Sequence, residues 1–203
     1  MVQAAATSTN GTAGPESATW RELNALVHAR RSNLRVDPDR AVAPELVAAL
    51  LELACWAPNH KHTHPWRFAV VTGAGRARLG ETAAAGLPAL GISEPGALNK
   101  MRTKYLRAPV VLVVGSAAHA EAHLQRENEH AVAAGVQNLL LGATALGLAS
   151  FWGTGAAVEV PAVKALVGLR PVDQIVAIVY LGWPVQEAPA SHRAAPVVTA
   201  IDA

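Results

Sequence analysis

The stretch APNHKHTHPWRF, residues 57–68, alternates His60, His62 and His64 with Lys61 and Thr63. In an extended segment side chains at i, i+2 and i+4 share a face, so three imidazoles could converge on one ion. Lys61 sets an ammonium inside the run, and the stretch itself holds no carboxylate or cysteine to complete or orient the set. Three readings stay open on the residues alone: a metal site, a plain polar loop, and a loop that meets an organic cofactor. Other constellations carry less chemistry. His119, His123, Glu127 and His130 have helical spacing and include a Glu-x-x-His step, but no second such step supplies the carboxylates a di-iron bundle needs, so they read as a solvated helix face. Val71-Thr72-Gly73-Ala74-Gly75-Arg76 places two glycines between a strand and a helix. Arg78 stands where a dinucleotide fingerprint needs its third glycine, and no acidic residue follows at the usual distance. Neither Ser116 nor Ser150 lies in G-x-S-x-G, so acyl transfer has no nucleophile elbow.

Composition limits what can hold these residues. With 203 residues, 51% of them hydrophobic, the chain can bury a full core in one domain. Net charge is only +2 and the basic residues are scattered apart from Arg30-Arg31 and Lys100 to Arg107, which argues against a nucleic-acid binder. The single cysteine, Cys55, allows no internal disulfide and is compatible with a reducing cytoplasm; within the apolar run Leu50 to Trp56 it reads as a small buried hydrophobe. The first nineteen residues lack the charged and apolar regions of a secretory signal and read as a disordered tail, leaving residues 20–203 as one domain. Residues 131–158 carry no formal charge and are long enough to cross a bilayer. Gln137, Asn138, Thr144 and Ser150 interrupt that run, and it reads instead as a buried helix, of a kind often enclosed by pairing with a second copy.

The elements follow from periodicity. Apolar residues at Trp20, Leu23, Leu26 and Val27 predict a helix over 20–30 that stops in the polar turn Arg31-Ser32-Asn33. Pro44 opens a second helix that ends before Pro58. A short strand over 68–72, helices over 76–85 and 97–106 (the latter with exposed basic residues) and a buried strand PVVLVVG over 109–115 come next. A long helix over 121–146 stops at Gly147. A brief strand over 149–152, a short helix over 161–167 and the buried strand QIVAIVYLG over 174–182 follow, then an extended Pro- and Ala-rich tail. The fold class is α+β, a sheet of four or five strands covered by helices.

Four stretches, in this order, resemble the FMN-dependent nitroreductase family: Ala29-Arg30-Arg31-Ser32, the loop from Ala57 to Phe68, Ala134-Gly135-Val136-Gln137-Asn138-Leu139-Leu140, and Phe151-Trp152-Gly153-Thr154-Gly155-Ala156. The second is most similar to a compact bacterial subgroup of NAD(P)H nitroreductases. The resemblance implies a mostly antiparallel sheet in an intertwined homodimer with FMN at the subunit interface, and hydride transfer from NADH or NADPH through flavin N5 to a small electron-poor acceptor. It implies no catalytic side chain and no resident metal. Arg30, Arg31 and Ser32 would hold the FMN phosphate and ribityl chain, the planar guanidinium being suited to phosphate oxygens; taken alone, the same residues are an exposed basic turn capping a helix C-terminus. His60 and His64 would reach the flavin of the other subunit. Trp152, Gly153 and Thr154 would approach the ring from the other side, with Gly153 widening the pocket, and Arg193 would add a C-terminal phosphate contact. The competing expectation from another class is a non-enzymatic metal- or ligand-binding dimer built on His60, His62 and His64.

Overall fold

The computed structural model of the chain describes residues 14–201. The expected tail over 1–19 lies mostly outside them, and Ala18 and Thr19 already belong to the first helix. That helix, α1 (Ala18–Ala29), starts where the Ser17 hydroxyl accepts the Trp20 N–H at 3.2 Å. Then come α2 (Pro44–Ala54), β1 (Trp66–Thr72), α3 (Ala74–Gly86), α4 (Pro95–Thr103), β2 (Val110–Ser116), α5 (Ala122–Ala145), β3 (Ala149–Gly153), α6 (Pro161–Leu166) and β4 (Gln174–Gly182). Single helical turns occupy His60–His62, Lys104–Arg107 and Ala156–Glu159 among the connections. Each element lies within a few residues of its expected place.

The four strands pair in the order β1-β2-β4-β3, antiparallel throughout. β2 is buried along its whole length, as its unbroken apolar run requires at the centre of a sheet covered on both faces. Alternation sends Leu112 and Val114 into a core shared with α2 and α5, and Val111 and Val113 into a second core shared with α3, α4 and α6. Asp173, 2% exposed, fastens the approach to β4: it accepts the Ala118 N–H at 2.9 Å and Arg170 Nη2 at 2.7 Å, and against the cost of burial these bonds hold its carboxyl down to about 2.

α5 carries the apolar stretch that sequence alone could have assigned to a bilayer. Among the described residues no helix is long and apolar enough to cross a membrane. α5 instead buries Val132, Val136, Leu139, Leu140 and Ala143 against the sheet and α2. The crossing with α2 is close because residue 135 is glycine: a Cβ there would sit 2.5 Å from the Ala54 carbonyl oxygen and 2.8 Å from Trp66 Nε1. Two of the recognised stretches thus meet in the core, the indole of Trp66 lying over the backbone of Gly135. Cys55, by contrast, is exposed, because α2 ends at Ala54 and the chain turns off the core at the next residue.

In an open helix interior Gly→Ala gains about 1 kcal/mol of propensity. At Gly135 the new methyl meets a backbone carbonyl that cannot swing away, and the strain of overpacking, about 1–3 kcal/mol, exceeds that gain. Gly135→Ala is therefore expected to lower the urea midpoint of unfolding; an unchanged or higher midpoint would show that α2 can shift aside.

Candidate functional site

At the end of α1 the chain leaves Arg30 as an extended run that lies along the outer edge of β3. Ser32 bridges Ser150 in the parallel sense, the Asn33 N–H donates to the Ser150 carbonyl at 2.9 Å, and Val36 bridges Pro184. The buried Asn33 side chain fixes this run: Oδ1 accepts the Arg35 N–H at 2.9 Å and Nδ2 donates to the Gln186 carbonyl at 2.8 Å. The segment is thus tied to the sheet on one side and to the C-terminal tail on the other.

Three pockets lie along it; one, about 390 Å³, is lined by Arg31, Asn33, Thr144, Pro184 and Glu187, and the other two gather residues singled out in the sequence. The first of these two, about 220 Å³, opens between the end of α1, the middle of α5 and the tail; Arg30, Arg31, Gln137, Ser191 and Arg193 line it, and no carboxylate does. Three of the residues singled out in the sequence meet here, although 162 positions separate Arg31 from Arg193. Arg31 also caps α1, its Nη1 donating to the carbonyls of His28 at 2.5 Å and Arg30 at 2.8 Å, so the capping reading and the anion-site reading describe the same side chain. Arg193 donates to Ser191 Oγ and to the His192 carbonyl. Ser32 is exposed and lines none of the three pockets.

The second of the two, about 410 Å³, is walled by Leu34, by Phe151 through Gly155 and by Tyr180. The Trp152 indole is anchored by donating to the Val176 carbonyl at 3.3 Å. Gly153 has room for a Cβ, whose nearest neighbours would be Phe151 Cε1 at 3.4 Å and the Ile178 carbonyl at 3.6 Å, so the backbone does not demand glycine and what its absent side chain leaves is space. Sequence reasoning missed the opposite wall, formed by Lys100, Lys104 and Arg107. The basic residues of this region were expected to be exposed. Lys104 is instead half-buried, and its ammonium is pushed below its ordinary value first by burial and then by Arg107 and Lys100. Burial raises the Tyr180 phenol to about 12, with Arg107 pulling the other way. The available signal was KMRTKYLR, residues 100–107, a basic run without a single acid.

His60 and His64 lie elsewhere. Their loop precedes β1, the far edge strand, three inter-strand steps or about 14 Å across the sheet from β3. It is fastened to α5: His60 Nδ1 lies 2.6 Å from Glu127 Oε2 and Thr63 Oγ1 donates to Asn128 Oδ1 at 2.5 Å. Glu127 was expected on a solvated helix face; the hydrogen bond from His60 holds its carboxyl below the usual range, although desolvation opposes this. Lys61, His62 and His64 have φ of +55°, +49° and +48°. For non-glycine residues that left-handed conformation costs about 1–2 kcal/mol each. The loop is therefore a strained turn rather than a strand, and the premise of three imidazoles on one extended face does not hold. Among the described residues no three His, Cys, Asp or Glu side chains gather so as to hold a metal.

Comparison with known proteins bears on this geometry. Residues 27–183 match the model of the nitroreductase family. The chain is 32% identical over 163 residues, 80% of its length and 87% of the relative's, to the protein named "Putative NAD(P)H nitroreductase YdjA" of Escherichia coli K12. It superposes with a TM-score of 0.75 on a nitroreductase-like family protein from Bacillus cereus, 27% identical, covering 85% of this chain and 91% of that one. With a TM-score of 0.63, the same identity and the same coverage, it also resembles a Desulfovibrio desulfuricans protein described as a "putative nitroreductase in complex with FMN".

The room at Gly153 can be tested without reference to any ligand's identity. Gly153→Ala should unfold within about 1 kcal/mol of the parent, since the methyl makes only ordinary contacts. Gly153→Leu should fold as well but reduce the affinity of whatever aromatic probe the pocket takes; undiminished binding to the leucine variant would show that this position does not border the occupied space.

Proposed function

The chain belongs to the nitroreductase family, and from that premise we propose that it is an FMN-dependent oxidoreductase, taking electrons from NADH or NADPH and reducing nitroaromatic, quinone or similar electron-poor acceptors. FMN, when bound, supplies the centre that accepts and donates hydride. The observation that carries the reading is that one extended segment, from Arg30 to Leu34, runs from a carboxylate-free arginine pocket, past a pocket lined by Arg31, Asn33 and Glu187, to an aromatic-walled pocket with cations along one side. Four residues of extended chain reach about 13 Å, a separation suited to a ligand with a phosphate at one end and a flat ring at the other.

The residues fit that group. Arg30, Arg31 and Arg193 offer forked donors with no competing carboxylate in the lining, and Gln137 and Ser191 add neutral donors. Trp152, Gly153 and Thr154 border the ring pocket, where Gly153 keeps one face open to a second molecule. Lys104, half-buried in the same wall, favours the negative charge that a flavin ring gains on reduction. Donor and acceptor would use the open face in turn, giving ping-pong kinetics. No side chain needs to act as nucleophile. The dependence on NAD(P)H goes with a cytoplasmic location.

A homodimer completes this reading. His60 and His64 lie at the opposite edge of the sheet from β3, and within one chain neither lines the ring pocket. A second copy could bring them there. α1 has no buried residue and exposes Trp20, Leu23 and Val27, and the tail exposes Val197, Val198 and Ile201, an amount of apolar surface that a partner subunit would cover.

Purified protein is expected to carry, or take up, about one FMN per chain. Arg30→Ala and Arg31→Ala should each weaken FMN binding by about 10- to 100-fold, the range of a charge-assisted hydrogen bond. Retention of parental affinity would remove the phosphate assignment. The shared site makes a separate demand: Arg30→Ala and His60→Ala chains, each poorly active, should regain activity when mixed and refolded together, because one site of the mixed dimer is then free of both changes. Failure to regain activity would argue that His60 serves only its own chain.

A further inference from the structure

The ring pocket holds more positive charge than a single flavin ring accounts for. Lys100 comes from the last turn of α4, and Lys104 and Arg107 from the single turn that follows. Lys104 is half-buried in the wall, whereas Lys100 and Arg107 are exposed at the mouth. None of the ion pairs among the described residues involves any of the three. The contrast is Arg102 on the same helix, whose guanidinium is met by Glu81 of α3 at 3.2 Å. No Asp or Glu lines the pocket, and the like charges already disfavour the ammonium of Lys104. Three cations converging on one concavity repel one another, and an anion entering from solvent relieves that repulsion. Beside them Phe151, Trp152 and Tyr180 offer flat apolar surface and Gly153 leaves space, so the anion's carrier has an aromatic wall to lie against.

We propose that Lys100 and Arg107 form an anion-recognition rim that selects, among the molecules using the open face of the pocket, those bearing a negatively charged substituent. The inference rests on the flavoenzyme reading and adds a substrate class to it. Two sources share the chemistry: the 2′-phosphate that distinguishes NADPH from NADH, and a carboxylate on an electron-poor aromatic acceptor. Lys104 is set apart from this role by its depth, and its charge serves the ring.

The test uses the flavin-loaded protein and the double variant Lys100→Gln/Arg107→Gln, with Lys100→Arg/Arg107→Lys as the charge-preserving control. Two matched pairs are compared, NADPH with NADH and 4-nitrobenzoate with nitrobenzene, as ratios of KM. Dissociation constants for benzoate and benzamide, read from perturbation of the oxidised flavin spectrum, supply the comparison without turnover. Loss of two partly exposed charges should shift the anionic-to-neutral ratio by about ten-fold in at least one pair, more at low salt than at high. The control should retain the parental ratio. A shift confined to the nucleotides assigns the rim to the 2′-phosphate, and one confined to the aromatics assigns it to the acceptor's carboxylate. Protein that loads FMN but shows the same ratios in parent and double variant overturns the inference alone. Protein that takes up no FMN overturns the flavoenzyme reading and the inference with it.

Discussion

The site depends on the pairing of one irregular segment with the edge of the sheet. β3 is an edge strand of only five residues, and its free side is met at Ser150 by Ser32 and Asn33, while the run continues to Val36 opposite Pro184, just past the end of β4. An unpaired edge costs hydrogen bonds and invites aggregation. Here the Ser150 carbonyl is satisfied by Asn33, whose side chain then draws in the C-terminal tail at Gln186. That placement brings Arg30 and Arg31 to one end and Leu34 to the other, where β3 itself delivers Trp152 and Gly153 beside it. Helix end, strand end and chain terminus meet because one backbone run is hydrogen-bonded to all that surrounds it.

The order of the strands imposes the second constraint. Because β1 and β3 are opposite edges, the loop before β1 lies about 14 Å across the sheet from β3, and neither His60 nor His64 lines the pocket beside β3. Yet the loop before β1 is built with care. It accepts left-handed backbone at three residues with side chains, and offsets that strain with the His60 to Glu127 and Thr63 to Asn128 contacts on α5. A plain connection between α2 and β1 would have no reason to hold such a shape. Strain of this kind concentrates where a side chain must be presented in a fixed direction, which in the proposed homodimer would be toward the other subunit.

How far this was legible in the sequence depended on whether a signal was local. PVVLVVG and QIVAIVYLG could be recognised as central strands because burial on both faces leaves an unbroken apolar run. α5 was readable from its length and its charge-free half, and the order of four short stretches pointed to the family. Cys55 was misjudged because its apolar neighbours in sequence are helix residues facing the core, while the cysteine itself sits past the helix end. Glu127 does stand on the exposed helix face its spacing assigned, and what the spacing could not show is its bond to His60; Lys104, expected to be exposed, is half-buried. Periodicity assigns a face to a helix, but it does not say which loop or pocket that face will meet, and in both cases the partner comes from a distant part of the chain: His60, sixty-seven positions before Glu127, and the β3 wall beside Lys104.

The distribution of charge explains why the two pockets need not compete for ligands. Both are basic and free of carboxylates, but they differ in what surrounds the cations. Around Arg30, Arg31 and Arg193 the lining is polar, with Gln137 and Ser191, and it suits a compact anion held by many hydrogen bonds. Around Lys104 it is aromatic and partly desolvated, so the cation acts mainly through its field and a flat conjugated group supplies the contact area. A ligand that carries a doubly charged phosphate at one end and a ring that becomes negative only when reduced matches that difference at both ends. Neither pocket alone would distinguish such a ligand from a free anion or a free aromatic; in the proposed site the segment from Arg30 to Leu34 joins the two.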